Sequence, residues 1–520
     1  MSANPYDVVD YPGHIRPLAH PRRLQTNARL FGLRAPALES CRVLELGCGD
    51  GVHLLWMAAE FGGARCVGVD LAESGLAKGR EIAHTLGLRN IKLVQTDILD
   101  LDEGFGQFDY IIAHGVYSWV PEVVRDKLLV ICRRNLAPNG VAYVSYNSFP
   151  GCHLRQMLGE MINFHVRAIE EPQAQVAEAR RFAALLPEWS KASELYRAVL
   201  RDEQQFLAKM SDQVLYHDDL AEFNVPVYFT DFLKHASRHQ LQYLTEATLK
   251  EAAQFDQWPD VAAVVERWTA SRAEREQYFD FVTARRFRTT LLCHAEQPLQ
   301  ERPDPVAVQD LTVAGDLKFE LEAAADLVTD KVVEFRGQGD KLVAVRDAAL
   351  KVALARIASL WPRAVSFAEL WAHVESSARL PAAQQEELRA QLYETLLKCY
   401  RSGLVELAVT PVRVATTPGD RPRASTLARG QALLGQRITS LYGHNVNIGD
   451  DFSRFFLQLL DGSRTRAEIA AALIAAVTQG KVKPPPPVAA ALGSGRWKTL
   501  IKAGLDDNLK HLARIALLEA

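Results

Sequence analysis

The chain lacks the features that mark secreted, membrane or metal-binding proteins. Its seven cysteines are scattered and include no C-x-x-C pair, so we expect reduced thiols in a cytoplasm rather than a disulfide framework or a zinc site. No apolar run reaches the roughly 18 residues of a membrane-spanning helix, and the first residues have neither the basic nor the apolar region of a signal peptide. The fourteen histidines form no H-E-x-x-H pattern or comparable cluster, so we expect no metal.

An excess of one charge is also absent. Lysine and arginine number 60 against 63 aspartates and glutamates, for a net charge of −3. The whole chain therefore has no general attraction to nucleic acid or to an anionic membrane. A hydrophobic content of 48% and a charged content of 24% are ordinary for globular proteins. Since 520 residues are too many for one core, we expect about two to four domains.

The most informative segment is VLELGCGDG, at residues 43–51. It is an apolar strand that ends in a glycine-rich turn, and Gly47, Gly49 and Gly51 have no Cβ to keep a ligand away from the backbone. Further along, Asp70 ends a second apolar run, where a carboxylate can bond both hydroxyls of a ribose. Together, the turn and the aspartate predict a cofactor that contains a nucleoside.

The spacing of this turn distinguishes between cofactors. A dinucleotide fingerprint, G-x-G-x-x-G, would have its third glycine where Val52 stands, and Glu45 would bring negative charge towards a pyrophosphate. S-adenosylmethionine has no phosphate and carries a positive sulfonium, so an acidic neighbour is compatible with it. The signature resembles that of class I S-adenosylmethionine-dependent methyltransferases. The alternative is a strand-to-helix turn that binds no ligand.

The surrounding pattern indicates the α/β fold class, with a doubly wound parallel sheet of Rossmann-like type. Ligands of such sheets lie beyond the carboxyl ends of the strands, so we expect Asp70, Asp97, His114 and Tyr146 to line one crevice. Asp97 is predicted to accept a hydrogen bond from the adenine amino group, or else to cap the next turn. Asp109 lies too early in its strand to reach the crevice and is predicted to be structural. The predicted cofactor contacts are Glu45, Gly47, Cys48 (a small residue suited to a tight loop), Gly49, Gly51, Asp70, Leu71, Asp97, Ile98 and His114.

Changes of pattern along the chain predict five segments. Residues 1–40 form an arm, which either lies over the crevice as a lid or packs elsewhere. Residues 41–152 form the cofactor-binding core. Residues 153–303 contain a helical insertion followed by two strands that complete the sheet. Residues 304–415 and 416–520 each read as helix, turn, capped helix and longer helix, a succession that resembles winged-helix domains.

The two winged-helix-like segments share a capping pattern, in Ser366 with Glu369 and in Thr465 with Glu468. A winged helix that reads DNA needs a basic recognition helix. The longer helices here, QLYETLLKCYRSG and LDDNLKHLARIALLEA, mix acidic with basic residues. We therefore expect protein–protein or intramolecular contacts and no nucleic-acid partner.

Several longer motifs occur along the chain: HPRRL (20–24), RVLELGCG (42–49), AHGVYSWVP (113–121), SYNSFPG (145–151), EFNVPVYFTDF (222–232), RRFRTTLLC (285–293) and LLDGSRTR (459–466). They resemble those of methyltransferases that carry a methyltransferase regulatory domain, such as the bacterial protein lysine methyltransferases first recognised in rickettsiae, which modify an outer-membrane protein. The resemblance implies a protein substrate and extends to a C-terminal winged-helix domain. Relatives tend to have ASGGN after the glycine loop, where this chain has GDGVH, so the contacts of Asp50, Val52 and His53 are expected to differ.

Lysine methylation sets requirements for the acceptor side. A free lysine has a pKa of about 10.4, so a site must favour the neutral amine through nearby positive charge or an apolar pocket. Tyr117, Trp119, Tyr146 and Asn147 follow the fourth and fifth predicted strands and are the predicted substrate-binding residues; aromatic rings also attract a methylammonium. Tyr117 and Trp119 have core packing as their alternative. Tyr146 or Asn147 is predicted to orient the amine, with His114 as a base through water or, alternatively, a packing residue.

These observations predict an S-adenosylmethionine-dependent methyltransferase that modifies protein lysines by direct in-line transfer. Two alternatives remain open. One keeps the fold and cofactor but uses a small-molecule acceptor; the other is a catalytically silent adaptor that binds a nucleoside and acts through its winged-helix domains. The expected location is the cytoplasm with no membrane partner, and a homodimer is compatible with the sequence.

Overall fold

The computed structural model describes residue 9 and residues 13–520, except 222, 251–257, 322–323, 340, 379–381 and 436. Most of the predicted arm before residue 13, including Tyr6 and Tyr11, lies outside the described residues, as does Glu222 at the start of one motif.

A seven-stranded sheet forms the centre of the N-terminal half, with strand order β3-β2-β1-β4-β5-β7-β6. The first five strands in this order, from β3 across to β5, pair in parallel. Strand β7 runs antiparallel to both of its neighbours, β5 and β6. The predicted doubly wound sheet is confirmed, and its last two strands do follow the helical insertion. The strands are β1 Arg42–Leu46, β2 Arg65–Asp70, β3 Ile91–Gln95, β4 Phe108–Ala113, β5 Leu136–Asn147, β6 Leu241–Glu246 and β7 Phe287–His294.

Residues 137–140, APNG, have the composition of a turn but are part of β5. Pairing with β4 shifts register between Phe108 and Tyr110, which accommodates these residues within the strand. The helices of this half are α1 Pro21–Leu30, α2 Val52–Glu60, α3 Glu73–Thr85, α4 Glu122–Arg134, α5 Cys152–Val166, α6 Pro172–Trp189, α7 Glu194–Ala208, α8 Asp212–Asp219, α9 Phe229–Arg238, α10 Pro259–Trp268 and α11 Arg272–Thr283.

The C-terminal half contains the two predicted winged-helix-like units. The helix caps predicted from the sequence are present: Thr465 and Glu468 form a reciprocal capping box, and Ser366 and Glu369 exchange equivalent hydrogen bonds. The elements are β8 Thr312–Ala314, β9 Val333–Arg336, β10 Leu342–Val345, α12 Ala348–Leu360, β11 Val365–Ser366, α13 Phe367–Ala378, α14 Gln385–Ser402, β12 Glu406–Ala408, α15 Thr426–Leu434, β13 Arg437–Thr439, β14 Asn445–Asn447, α16 Asp451–Leu459, α17 Arg466–Thr478, α18 Pro486–Ala490 and α19 Arg496–Arg514.

Both units are docked on the rest of the chain. Arg23 of α1 pairs with Glu406 of β12 at 2.9 Å. The Trp361 indole donates to the carbonyl of Arg514 at 3.0 Å, which joins the two units to each other. A Cβ added to Gly430 of α15 would lie 2.4 Å from Leu86, just beyond α3, so this helix lies tightly against the sheet domain. These are intramolecular contacts of the kind that the sequence favoured over DNA binding.

Close approach of α3 to the glycine loop positions the candidate site. A Cβ on Gly79 would lie 2.2 Å from the carbonyl oxygen of Asp50, and one on Gly75 would lie 3.2 Å from the backbone of Gly49. A side chain at Gly79 would overlap the backbone of Asp50, and one at Gly75 would pack tightly on Gly49. The two glycines therefore allow α3 to lie close to the loop.

We predict that Gly79→Ala destabilises the protein although alanine is the better helix former. Overpacking against backbone costs about 1–3 kcal/mol, and unfolding monitored by urea titration measures the loss. The matched control is Gly159→Ala in α5, where a Cβ would meet no atom within 4 Å and a gain of about 0.5–1 kcal/mol is expected. Equal effects of the two substitutions would contradict the packing role of Gly79.

Candidate active site

The glycine loop connects β1 to α2 and uses positive backbone angles that favour glycine. Gly47, Gly49 and Gly51 have φ of +69°, +57° and +68°. The N–H groups of Gly47 and Cys48 donate to the carbonyl of Val69, at 2.9 and 3.1 Å. These amides are therefore committed within the protein. The glycines allow close approach of a ligand to the backbone, but they do not offer the free donors that a phosphate-binding loop would.

Asp70 fixes this loop from the end of β2. One carboxylate oxygen accepts from the Gly49 N–H at 2.8 Å and the other from the Ala72 N–H at 2.9 Å. A carboxylate has about four acceptor positions, so capacity remains for ribose hydroxyls. Leu71 beside it is 53% exposed, and a Cβ on Gly49 would meet no atom within 4 Å. The crevice therefore has open space, an acidic acceptor and an apolar edge, which fit an adenosyl group.

Glu45 lies beneath the loop with one carboxylate oxygen unpartnered and the residue 5% exposed. Burial, followed by the charges of Asp50 and Asp70, raises the pKa of Glu45 to about 8. An unpartnered buried oxygen of this kind calls for a donor or a positive charge from a ligand, and the cationic S-adenosylmethionine matches that need.

Asp97 follows β3, and the structure bears on both of its predicted roles. Its Oδ1 accepts from the Leu99 N–H at 2.9 Å and caps a short 3-10 helix that begins at Ile98. The capping role is thus present, while the contact of Asp97 and Ile98 with adenine stays a prediction. Asp109 accepts from the Arg42 backbone N–H at 2.7 Å, the structural role expected of it.

The described part of the arm runs along this crevice. The Arg16 N–H donates to His53 Nδ1 at 3.3 Å, and a Cβ on Gly13 would lie 2.2 Å from the Asp50 carboxylate. Asp50 and His53 are two of the positions at which GDGVH departs from the relatives. In this chain they contact the arm, which agrees with the lid alternative.

A cavity of about 300 Å³ lies at the carboxyl edge of β4 and β5, beneath the arm. Among the residues that line the cavity, only His114 was predicted from the sequence to be a site residue. The other lining residues come from distant segments, so only the folded chain brings them together. The lining consists of Ile15, Arg16, Pro17, Leu18, His114, Tyr143, Glu246, Thr248, Arg285, Phe287 and Thr289.

His114 connects the cavity to the end of β4. Its Nδ1 lies 2.9 Å from the Tyr143 hydroxyl, and its ring lies 5.9 Å from that of Phe287. Burial, with a smaller contribution from the charge of Arg16, lowers the pKa of His114 to about 3. The imidazole is therefore neutral at physiological pH and has an aromatic surrounding.

The structure does not bring the four predicted substrate-binding residues to this cavity. Tyr146 is 1% exposed, stacks on Phe232 and shares a 2.9 Å hydrogen bond with Thr290. Side chains alternate across a strand, so Tyr143 lies on the cavity face and Tyr146 on the opposite, core face. A direct role for Tyr146 in orienting the acceptor finds no support in these contacts.

The other three lie near Tyr146. Tyr117 is 2% exposed, which agrees with the alternative that it packs in the core. It begins a short 3-10 helix that Trp119 ends. The Asn147 amide donates to Asn224 Oδ1 at 2.9 Å. Roles for these residues in binding an acceptor stay predictions.

A separate cluster corrects the expectation that the histidines form no ligand group. Asp126, His235 and His239 each offer a ligand atom, and these atoms lie within 4.8 Å of one another. His235 and His239 are spaced i,i+4, a signal that was available in the sequence.

Among the described residues, no helix has the length and apolar character needed to cross a bilayer.

Three family models match the chain. Residues 43–140 match the "Methyltransferase domain", residues 211–294 the "Predicted methyltransferase regulatory domain" and residues 420–517 the "PKMT, C-terminal winged helix domain". The fold class, the C-terminal winged helix and S-adenosylmethionine as cofactor are thereby confirmed. The five domain boundaries stay predictions.

Two curated relatives are uncharacterized proteins of Rickettsia prowazekii. One is 40% identical over 294 residues, which cover 56% of this chain and 53% of the relative. The chain therefore spans about half the length of this relative. The other is 34% identical over 240 residues, which cover 46% of this chain and 96% of that relative.

Among solved structures, PKMT2 from Rickettsia typhi is similar over 98% of this chain and 100% of its own, with 27% identity and a TM-score of 0.85. The structure of the same protein in complex with AdoHcy aligns with a TM-score of 0.81 at 26% identity, over 98% of this chain and 99% of its own. Together with the family models, these likenesses show that the chain belongs to the family of class I methyltransferases that carry a methyltransferase regulatory domain and a PKMT-type C-terminal winged-helix domain.

Proposed function

We propose that this chain methylates lysine side chains of a protein, with S-adenosylmethionine as the methyl donor. The observation that carries the proposal is the cavity of about 300 Å³ beside His114, at the edge of the sheet where the cofactor crevice opens. The similarity of the whole chain to PKMT2 of Rickettsia typhi supports a protein acceptor.

The size and lining of the cavity suit a long amine side chain. Phe287 and Tyr143 provide aromatic surface, which excludes water and attracts a methylated ammonium. Arg16 provides positive charge, which disfavours a protonated lysine and lowers its pKa. Arg285 is paired with Asp280, and the Glu246 carboxylate in the lining, paired with Arg288, acts in the opposite direction. The aromatic surface and the charge of Arg16 both favour the neutral amine that methyl transfer requires.

When bound, S-adenosylmethionine supplies an electrophilic methyl carbon. The protein has to align the acceptor nitrogen with that carbon and to receive a proton from the amine. Alignment alone accounts for much of the rate in such displacements. The pKa of His114, about 3, leaves the imidazole neutral but makes it too weak a base to keep that proton. The proton therefore passes to water, and His114, held by the Tyr143 hydroxyl, helps to orient the acceptor.

The arm and the C-terminal units have distinct places in this proposal. The arm covers the cavity through residues 15–18, so its position controls access of the acceptor. The winged-helix units are held against the sheet domain by pairs such as Arg23 with Glu406, and they extend the surface on which a protein substrate can dock.

A methyl-transfer assay tests the proposal. Full-length protein is incubated with methyl-tritiated S-adenosylmethionine and a bacterial extract, and the extract is then separated into protein and small-molecule fractions. We expect the label in protein and, after acid hydrolysis, in methyllysine. Asp70→Ala is the matched inactive control, since it removes charge-assisted hydrogen bonds worth about 1.5–3 kcal/mol each.

Other results of this assay would contradict the proposal. Label in the small-molecule fraction would indicate a small-molecule methyltransferase. Cofactor binding without transfer to either fraction would indicate a silent adaptor.

Cofactor affinity is predicted to rise with pH between about 6 and 7.5. Glu45 has a pKa of about 8 in the free protein, and a cationic ligand stabilises its ionised form and lowers that pKa. Binding therefore releases a proton below pH 8, and affinity increases by up to about tenfold per pH unit. Calorimetry measures both the affinity and the number of protons released on binding. Glu45→Gln cannot ionise, so a slope in this variant equal to that of the wild type would contradict the assignment.

Filling the cavity is predicted to separate acceptor binding from cofactor binding. Ile15→Trp places a larger side chain in the lining, and displacement of the acceptor by about 1 Å reduces transfer on the order of 100-fold. The affinity for S-adenosylmethionine, measured by calorimetry, is expected to stay unchanged. Val306→Trp, at a side chain that is 49% exposed and outside the cavity, is the matched control. Full transfer activity in Ile15→Trp would exclude this cavity as the acceptor site.

A further inference from the structure

We propose that Asp126, His235 and His239 form a binding site for one zinc-class divalent cation, separate from the cofactor crevice. The three residues come from two helices. Asp126 lies in α4, and His235 and His239 lie one turn apart at the end of α9, so that both imidazoles project from the same face.

Their geometry is close to that of a metal ligand set. His235 Nε2 and His239 Nε2 lie 3.1 and 2.8 Å from the same oxygen, Oδ1 of Asp126. Ligand atoms of a tetrahedral zinc, each about 2.0–2.1 Å from the metal, are about 3.3 Å apart. The two distances from Nε2 to Oδ1 are therefore within about half an ångström of that spacing, and all three ligand atoms lie within 4.8 Å of one another.

A hydrogen bond on the far side of one ring supports the assignment. His235 Nδ1 lies 2.8 Å from the Tyr117 hydroxyl. With the Nδ1 proton donated to Tyr117, the lone pair of Nε2 faces Asp126 and is available to a cation. Metal-bound histidines almost always have such a partner, which fixes the tautomer and the orientation of the ring.

The donor set and its exposure indicate the class of cation. Two imidazoles and one carboxylate suit Zn²⁺ and its transition-metal neighbours, whereas Mg²⁺ and Ca²⁺ prefer oxygen ligands. The histidine side chains are 16% and 17% exposed and that of Asp126 is 52% exposed. The site is therefore accessible from solvent, which leaves a fourth position for water.

Occupancy would join three elements beside the methyltransferase crevice. The cation would link α4 to α9, and His235 would hold Tyr117 in the 3-10 turn that follows β4. Tyr117 packs on Tyr146 at the carboxyl edge of the sheet. The site thus stabilises the loop next to the candidate active site without itself contacting the cavity.

Metal titration of the untagged full-length chain tests the proposal. After treatment with a chelator, the protein is titrated with ZnCl₂ by calorimetry and with CoCl₂ by visible absorption, which reports tetrahedral coordination. We expect one ion per chain, no saturable binding of Mg²⁺ and a higher unfolding temperature with Zn²⁺. Asp126→Asn and His239→Gln are each expected to weaken Zn²⁺ binding at least tenfold.

Two further variants separate the site from adventitious histidine binding. Tyr117→Phe retains all three ligands but loses the hydrogen bond to His235, and we expect binding weakened by about 10- to 100-fold. His84→Gln, at the end of α3, should bind as the wild type does. The unfolding temperature of each variant in chelator shows that it is folded. Zn²⁺ affinity and stoichiometry in Asp126→Asn and His239→Gln equal to the wild type, or no saturable binding at all, would overturn the proposal.

Discussion

The ion pair between the buried carboxylate of Glu246 and Arg288 stabilises the wall of the cavity beside His114. The Glu246 carboxylate lies at the carboxyl end of β6, accepts from Arg288 at 2.8 Å and from the Thr289 N–H at 3.0 Å, and lines the cavity. Burial acts to raise the pKa of Glu246, but the charges of Arg288 and Arg285 and the hydrogen bonds from Thr289 and Thr290 together outweigh it and lower the pKa. Removing one member of such a buried pair costs about 3–5 kcal/mol, so the edge strands and the cavity wall are stable only together.

Contacts spread from this pair in both directions. Arg288 also bonds Asp280 of α11 at 2.8 Å, which ties the regulatory region to the sheet. On the other side, the buried Asn27 donates to the carbonyl of Glu246 at 3.2 Å and accepts from the Tyr400 hydroxyl at 2.7 Å. Tyr400 belongs to α14, so a winged-helix-like unit reaches the cavity wall through two side chains. These contacts link α1, the regulatory region and the C-terminal half through buried side chains.

Features encoded by short patterns could be predicted from the sequence. The glycine loop, Asp70, the doubly wound sheet and the capping box of Thr465 depend on a few neighbouring residues, and each was found. The return of the last two strands after a helical insertion also followed from the helix-and-strand patterns before and within β6 and β7.

Features that depend on tertiary contacts could not be predicted. Arg16 and Arg285 both line the cavity although they lie far apart in the sequence. No local sequence pattern indicates that they are close in space. The choice between Tyr143 and Tyr146 follows from the face of β5 that each occupies, and both faces are buried, so hydrophobicity does not distinguish them. The alternation of side chains along a strand does place Tyr143 and Tyr146 on opposite faces of β5. The sequence does not say which of these faces, together with His114, lines the cavity.

The central claim is that an adenosyl group lies in the crevice beside Asp70 with its sulfur facing the cavity next to His114. A crystal structure of the full chain with S-adenosylhomocysteine and a lysine-containing peptide tests it most directly. We expect ribose hydroxyls on the Asp70 carboxylate and a lysine side chain in the cavity, with its nitrogen in line with the sulfur. Ribose bound away from Asp70, or a sulfur that faces away from the cavity, would contradict it.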